Sequence, residues 1–258
     1  MPLNLDRRWI ALAILCLGYL MIILDTTIVN VALPSIKTDL AFSAESLVWV
    51  VNAYMLTFSG FLLLGGRLGD IYGHRRIFLV GLVIFTLASL ICGVAWSQLI
   101  LIIARAIQGI GGAVVAAVAL SLIMNLFTEA NERARAMGFF GFVAAGGGAL
   151  GVLLGGLLTN SFDWHWNFLV NIPIGIIVFI LCFKLLPHSR REDHPGHLDA
   201  AGAVTITAAL ILAVFAIVNG NAAGWFTIRT LVTFLSAAII FCVFVIIEKR
   251  VRGPLVPF

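Results

Sequence analysis

Charged side chains are scarce in this sequence. Of its 258 residues, 11% are Asp, Glu, Lys or Arg and 62% are hydrophobic, whereas a typical soluble domain has about 25% charged and 45–50% apolar residues. A soluble fold of this size cannot bury so much apolar surface, so a lipid bilayer must solvate much of the chain. The composition excludes an ordinary soluble domain and predicts a protein that crosses the membrane several times.

Cysteine is rare too, and no catalytic or metal-binding pattern is present. The four cysteines lie inside apolar runs without a Cys-x-x-Cys or Cys/His spacing, so neither a disulfide framework nor a metal site is expected. The five histidines lie outside the predicted spans, and no Ser/His or His-Glu-x-x-His arrangement occurs. An intramembrane enzyme is therefore disfavoured, and we expect no catalytic residue, no bound metal and no cofactor.

Long windows without charge mark the membrane spans. No charged residue lies between Glu45 and Arg67, or between Arg76 and Arg105, and a helix needs roughly 20 apolar residues to cross the hydrocarbon layer. A tight turn at "AWSQ" (95–98) separates the third span from the fourth. The windows predict eight helices, at about 9–33, 46–65, 77–95, 98–124, 135–158, 166–186, 200–219 and 229–247.

The basic residues predict the orientation of the chain. With the N-terminus in the cytoplasm, only Lys37 and Arg229 face outward, and Arg105 lies within a span. The other thirteen Lys and Arg residues then lie in five cytoplasmic segments: Arg7, Arg8, Arg67, Arg75, Arg76, Arg133, Arg135, Lys184, Arg190, Arg191, Lys249, Arg250 and Arg252. The positive-inside rule therefore predicts two cytoplasmic termini, and the spread over five segments argues against a nucleic-acid partner.

The stretch "GGRLGDIYGHRR" (65–76) lies in the predicted turn between helices 2 and 3. A positive-inside turn explains its arginines but not the acid or the glycines, which permit tight turns. The pattern resembles the loop signature of the major facilitator superfamily of transporters. The resemblance implies a cytoplasmic gating loop that latches and releases during transport, formed by Gly66, Asp70, Gly73, Arg75 and Arg76.

Further motifs extend this resemblance. "LDTTIVNVALP" (24–34) is similar to a signature of the fourteen-helix drug:proton antiporters, and "RAIQGIGGA" (105–113) to a superfamily segment of helix 4. "GALGVLLGG" (148–156) resembles the antiporter motif of helix 5, although Val152 replaces its expected proline, and "FLVNIPIG" (168–175) extends the likeness into helix 6. The chain is identified as a member of this subfamily.

The resemblance implies an all-α integral membrane fold and a domain organisation. Residues 1–187 would form a six-helix N-terminal bundle of two inverted three-helix repeats, 188–199 a cytoplasmic linker, and 200–258 an added two-helix segment. Fourteen-helix members have two such helices between their halves. The C-terminal six-helix half would then be absent, and that half or an oligomer would be a partner.

Asp25 and Arg105 are the only ionisable residues deep within predicted spans. Either costs about 2.5–3.5 kcal/mol at a helix centre, so such residues face a cavity or a partner. Asp25 is the candidate proton carrier, with Arg105 beside it; the alternative is a static ion pair that joins helix 1 to helix 4. Gln108 would join this network or contact substrate, and Asn30 is a weaker cavity candidate.

Predicted helix 5 is rich in glycine. Gly147, Gly151 and Gly155 repeat every four residues, with Gly156 beside them, and such a stripe lets another helix approach closely. Ordinary helix packing would explain any single glycine. The resemblance implies instead a seam on which the two halves of the transporter rock.

Together these features predict a proton-coupled exporter of lipophilic drugs or metabolites, of the multidrug-efflux type that confers antibiotic resistance. It would work by alternating access in the bacterial inner membrane, driven by the proton gradient and with the lipid bilayer, protons and a small lipophilic substrate as partners. The alternative is a truncated, non-transporting membrane protein that modulates a full-length transporter.

Overall fold

The computed structural model describes residues 5–186 and 200–249, and the regular structure of these residues is entirely helical. The helices are α1 (Leu5–Asp39), α2 (Ala44–Tyr72), α3 (His74–Gly93), α4 (Gln98–Leu126), α5 (Ala130–Ser161), α6 (Trp166–Leu169), α7 (Asn171–Leu185), α8 (Ala200–Ala223) and α9 (Ile228–Glu248). The predicted linker at 188–199 lies outside the described residues, as does the segment 250–258.

Eight helical segments are long and apolar enough to cross a membrane, when α6 and α7 are taken as one span. This confirms the predicted all-α membrane fold. The predicted sixth helix is interrupted at Val170, since α6 ends at Leu169 and α7 begins at Asn171. Pro173 explains the weak point, because it has no N–H to bond the carbonyl of Leu169 four residues earlier.

Helix α1 is longer than predicted. It continues through Pro34 to Asp39, whereas the sequence predicts its end near 33. Ala32 and Ile36, on either side of the proline, are both fully buried in one core cluster. Tertiary packing therefore holds the helix together across a residue that normally weakens it.

Serine side chains cap the N-termini of two of the spans. Ser43 accepts a hydrogen bond from the backbone N–H of Ser46 at the start of α2, and Ser97 accepts one from Ile100 at the start of α4. Such caps satisfy backbone donors that have no partner within the helix. Ser97 belongs to the predicted "AWSQ" turn, and the structure confirms a short connection there between Gly93 and Gln98.

Helix α4 is the centre of the bundle, with α2 and α3 packed along it. Gly109 and Gly111 allow this approach. A Cβ atom on Gly109 would collide with the backbone carbonyl of Tyr54 in α2, and one on Gly111 would collide with the backbone of Phe85 in α3. The glycines of "RAIQGIGGA" therefore bring three helices close together around Arg105.

Helices α1 and α5 form a second tight pair, and α7 packs against α1 and α3. Helices α8 and α9 pack on each other, and α8 lies against α2, where a Cβ on Gly60 would collide with Ile211. This arrangement places α4 and α7 against α1, with α3 packed on both of them.

Candidate functional site

The two charges predicted within the membrane spans form an ion pair. Arg105 Nη1 in α4 donates to Asp25 Oδ2 in α1 across 2.6 Å. Asp25 is fully buried and Arg105 is 1% exposed. Because neither charge is hydrated, each depends on the other and on hydrogen bonds for its stability.

Several helices hold the guanidinium of Arg105 in place. Its Nε donates to the carbonyl of Val50 in α2 across 3.0 Å. Its Cζ lies 4.3 Å from the ring centroid of Tyr54 and 5.8 Å from that of Phe168. Aromatic faces attract a cation, and more strongly where water is excluded. Arg105 is therefore fixed from α2 and α6 as well as from α1.

Two side-chain amides complete the shell around Asp25. Its Oδ1 accepts from Gln108 Nε2 across 2.7 Å and from Asn171 Nδ2 across 3.0 Å. Ser89 Oγ accepts from the same two amides, at 3.2 Å and 3.0 Å, and donates to the carbonyl of Phe168 across 2.9 Å. We call Asp25, Ser89, Arg105, Gln108 and Asn171 the buried polar cluster; none is more than 1% exposed.

Sequence reasoning missed Ser89 and Asn171. Ser89 is a single hydroxyl in an apolar span, and such residues are common in membrane helices. Asn171 carried a better signal, because it is the one polar side chain in the "FLVNIPIG" segment that extends the resemblance into the sixth span. What the sequence lacked was the proximity of α3 and α7 to α1.

The two candidate cavity residues, Gln108 and Asn30, differ in their burial. Gln108 is fully buried and joins the network, since its Oε1 accepts from Arg105 Nη1 across 2.7 Å. Asn30 is exposed on α1, where its Nδ2 donates to the carbonyl of Thr26 across 2.8 Å.

The predicted gating loop is mostly helical, which corrects the predicted helix ends. The sequence predicts that helix 2 ends near 65 and helix 3 begins near 77, whereas α2 continues to Tyr72 and α3 begins at His74. Gly73 alone separates them, with a φ of 92°, a conformation that glycine adopts readily. Gly66 lies within α2, where a Cβ would meet only Ala117, at 3.9 Å.

The charged residues of this segment differ in their surroundings. Asp70 is exposed in the last turn of α2, and its Oδ1 lies 3.1 Å from His74 Nε2. Arg75 is 7% exposed, donates to the carbonyl of Phe183 in α7 and lies 5.3 Å from the ring centroid of that residue. Arg76 is exposed. Arg75 therefore anchors α3 to α7.

A cavity of about 190 Å³ lies beside Asp70, where α2, α4, α8 and α9 meet. Its polar lining comes from Arg67, Asp70 and Ser121, and its apolar lining from Ile206 and Phe244. The two-helix segment α8–α9 therefore lines the same cavity as two of the predicted gating residues, Gly66 and Asp70.

The glycine stripe of α5 faces α1. Gly147, Gly151 and Gly155 are buried, and a Cβ on each would meet α1 atoms, at Ile23, Thr27 and Ile28 respectively. Among the described residues, a Cβ on Gly156 would meet nothing within 4 Å. Within this bundle, three of the glycines therefore pack α5 against α1, and the expected seam between two transporter halves stays a prediction.

Comparison with known proteins assigns the family. The family model described as Major Facilitator Superfamily matches residues 15–249. The puromycin resistance protein pur8 of Streptomyces alboniger is 42% identical over 97% of this chain and 50% of its own length. The cephamycin export protein CmcT of Amycolatopsis lactamdurans is 43% identical over 96% of this chain and 51% of its own. The chain spans about half the length of the curated relatives it matches.

Solved structures show the same fold. The POT family transporter PepTSo aligns with a TM-score of 0.67 at 17% identity. The alignment covers 95% of this chain and 52% of the PepTSo chain. The proton:xylose symporter XylE aligns with a TM-score of 0.62 at 15% identity. The alignment covers 96% of this chain and 55% of the XylE chain. With eight helical segments in its described part that are long and apolar enough to cross a membrane, and a family match over residues 15–249, this chain belongs to the major facilitator superfamily of membrane transporters.

Proposed function

We propose that the chain is the N-terminal portion of a proton-coupled exporter of lipophilic drugs or metabolites that works by alternating access. The relatives named for puromycin resistance and cephamycin export support the substrate class. The observation that carries the proton coupling is the fully buried ion pair of Asp25 and Arg105.

A buried ion pair is a poor device for stability alone. The cost of removing both charges from water offsets most of their attraction, so apolar residues of similar size would serve as well or better. A proton on Asp25 removes one charge and leaves Arg105 as an unbalanced buried cation. That imbalance would favour a different arrangement of α1 and α4, which is what a coupled transporter requires of its proton carrier.

The proton gradient supplies enough energy for this role. Moving one charge through 100 mV contributes about 2.3 kcal/mol. One proton per cycle would therefore shift the balance between two conformations of similar stability substantially.

The gating role of the α2–α3 connection belongs to the same proposal. Asp70 lies one turn before the start of α3, beside His74. An acid near a helix N-terminus is favoured by roughly 0.3–1 kcal/mol, which suits a contact that forms and breaks in each cycle. Gly66, Gly73, Arg75 and Arg76 would shape and orient this connection.

The domain organisation and location follow from the same reasoning. Residues 1–187 would form the N-terminal bundle, 188–199 a cytoplasmic linker, and 200–258 the added two-helix segment, with both termini in the cytoplasm of a bacterial cell. The complementary half would come from further sequence, a partner chain or an oligomer.

The test is efflux of a lipophilic fluorescent cation from energised cells that lack their own exporters. The 258-residue chain and the product of its full coding region would each be compared with Asp25→Asn. We expect normal membrane expression of Asp25→Asn and loss of most of the efflux, as with an agent that collapses the proton gradient.

Asp39→Asn is the matched control. Asp39 is an exposed acid on the same helix, and its Oδ2 accepts from Trp164 Nε1 across 2.9 Å, a bond that asparagine can keep through its amide oxygen. We expect efflux near the unmodified level. If Asp25→Asn lost expression as well as transport, the static ion pair would be favoured; if it exported normally, Asp25 would not be the carrier.

A further inference from the structure

Asn171 has an unused hydrogen-bonding atom next to Asp25. Its Nδ2 donates to Asp25 Oδ1 and to Ser89 Oγ, each across 3.0 Å. Its Oδ1 is buried and, among the described residues, has no hydrogen-bond partner. Buried polar atoms are nearly always paired, so an unpaired one calls for a specific explanation.

Gln108, the other amide beside Asp25, has no such freedom. Its Nε2 donates to Asp25 Oδ1, and its Oε1 accepts from Arg105 Nη1, both across 2.7 Å. Turning its carbonyl toward Asp25 would break the bond to Arg105. Of the two amides, Asn171 can therefore reverse its role without breaking a bond to Arg105.

A carboxylic acid needs a different partner from a carboxylate. In the structure, Asp25 Oδ1 accepts from two N–H groups, as a carboxylate can. Once a proton is bound to Oδ1, that atom becomes a donor and requires an acceptor. The last torsion of an asparagine side chain is broad, so the Asn171 amide can rotate to present Oδ1.

We propose that Asn171 is a positioning residue that stabilises Asp25 in both protonation states. Nδ2 donates to the carboxylate, and after rotation of the amide, Oδ1 accepts from the carboxylic acid. This inference rests on the proposed function, in which Asp25 gains and loses a proton. The proton is carried on Asp25 Oδ1 throughout, and Asn171 itself is never protonated.

The other titratable and charged groups near Asp25 come from the helices packed around α1. Arg105 faces it from α4, Tyr54 from α2 and Cys92 from α3. Helix α7 contributes the neutral amide of Asn171. Asn171 is therefore the α7 group that responds directly to the charge on Asp25.

The position of Asn171 links this response to a weak point in the backbone. It is the first residue of α7, directly after the interruption at Val170. Ser89, which shares the amide of Asn171, also donates to the carbonyl of Phe168 just before that interruption. Rotation of the Asn171 amide would break its hydrogen bond to Ser89. Because Ser89 also donates to Phe168, this change would alter the hydrogen bonding at the junction between α6 and α7.

The test is pH-difference infrared spectroscopy of the purified 258-residue chain in lipid nanodiscs. A titrating carboxylic-acid C=O band that disappears in Asp25→Asn belongs to Asp25. Because loss of a hydrogen-bond partner stiffens this C=O group, we expect Asn171→Leu to shift the Asp25 band to higher frequency. Asn171→Ala, which also removes the amide, should shift it the same way and guards against misfolding of the bulkier variant.

Asn167→Leu is the matched control. Asn167 is also fully buried, and its Oδ1 also has no hydrogen-bond partner within the part of the chain that the structure describes. Its Nδ2, however, donates to Thr159 Oγ1 across 2.6 Å, outside the cluster. A purely structural effect of losing a buried amide would appear in both positions, whereas the proposal requires a shift for Asn171 alone.

The outcomes separate this proposal from the proposed function. A band of Asp25 that titrates and moves in both Asn171 variants, but not in Asn167→Leu, supports the role of Asn171. A titrating band of Asp25 that stays unchanged in the Asn171 variants overturns that role and leaves the proton carrier in place. The absence of any titrating band of Asp25 in the unmodified chain overturns both.

Discussion

At the scale of single residues, the buried polar cluster pairs one negative and one positive charge away from the protein surface. Among the described residues, the Asp25 carboxylate accepts hydrogen bonds from Arg105, Gln108 and Asn171. Removing Arg105 leaves the Asp25 carboxylate without its cation, which costs far more than removing both charges. Asp25→Asn differs, because asparagine resembles the protonated acid that the proposed transport cycle passes through. The cluster therefore makes a specific prediction about single and double variants.

We expect Arg105→Gln to be strongly destabilised and the double variant Asp25→Asn with Arg105→Gln to be more stable than this single variant. The single change leaves the Asp25 carboxylate buried without its cation, at a cost of about 3–5 kcal/mol. The measurement is the thermal unfolding midpoint of each purified variant in the same detergent. A double variant no more stable than Arg105→Gln would show that the charge of Asp25 is compensated elsewhere.

At the scale of helices, glycine position decides which pairs can pack. A Cβ on Gly151 in α5 would collide with Thr27 of α1, whereas a Cβ on Gly148 of the same helix would meet none of the described residues within 4 Å. The two glycines differ in their neighbours but share a helix and its membrane environment. They therefore provide a matched test of the α1–α5 contact.

We expect Gly151→Leu to destabilise the protein and Gly148→Leu to have little effect. A side chain at Gly151 must separate α5 from α1, and overpacking of this kind typically costs about 1–3 kcal/mol. Thermal unfolding of both variants in one detergent would measure the difference. Equal midpoints would contradict the α1–α5 packing described above.

The α2–α3 connection allows a second test with glycine. Gly73 has a φ of 92° and a ψ of 123°, a sparsely populated conformation that costs a residue with a Cβ roughly 1–3 kcal/mol. Gly66 lies in a helix with room for a methyl group, where alanine is favoured by about 0.5–1 kcal/mol.

We therefore expect Gly73→Ala to lower the unfolding midpoint and Gly66→Ala to leave it unchanged or raise it. Both residues belong to the same motif, so a general effect of altering the motif would lower both midpoints. Circular dichroism during heating provides the measurement. The same two variants in the efflux assay would show whether the shape of this connection matters for transport.

At the scale of the whole molecule, one bundle is built from pairs of helices joined by close contacts. Helices α2 and α3 pack on α4, and helices α5 and α7 pack on α1. The buried polar cluster lies between these two sets of helices. The α8–α9 pair lies against α2 and lines the cavity beside Asp70. Helices α2 and α4 therefore contact both the buried polar cluster and the cavity beside Asp70.

The sequence by itself determined the eight spans and the two unusual charges. A span is recognised from its own apolar length, which depends on no other part of the chain. Asp25 and Arg105 stood out because a charge in hydrocarbon is costly wherever the chain folds. The motifs between 24 and 175 indicated the family for a similar reason, since each is a local pattern of residues.

Only the tertiary structure decided which residues complete the site. Ser89 and Asn171 are 82 positions apart, and Asn171 is 146 positions from Asp25, so their contacts arise from the packing of α1, α3 and α7. Packing likewise keeps α1 helical through Pro34 and places α1 against the glycine stripe of α5. These outcomes depend on which helix surfaces meet, and a pattern within one helix does not contain that information.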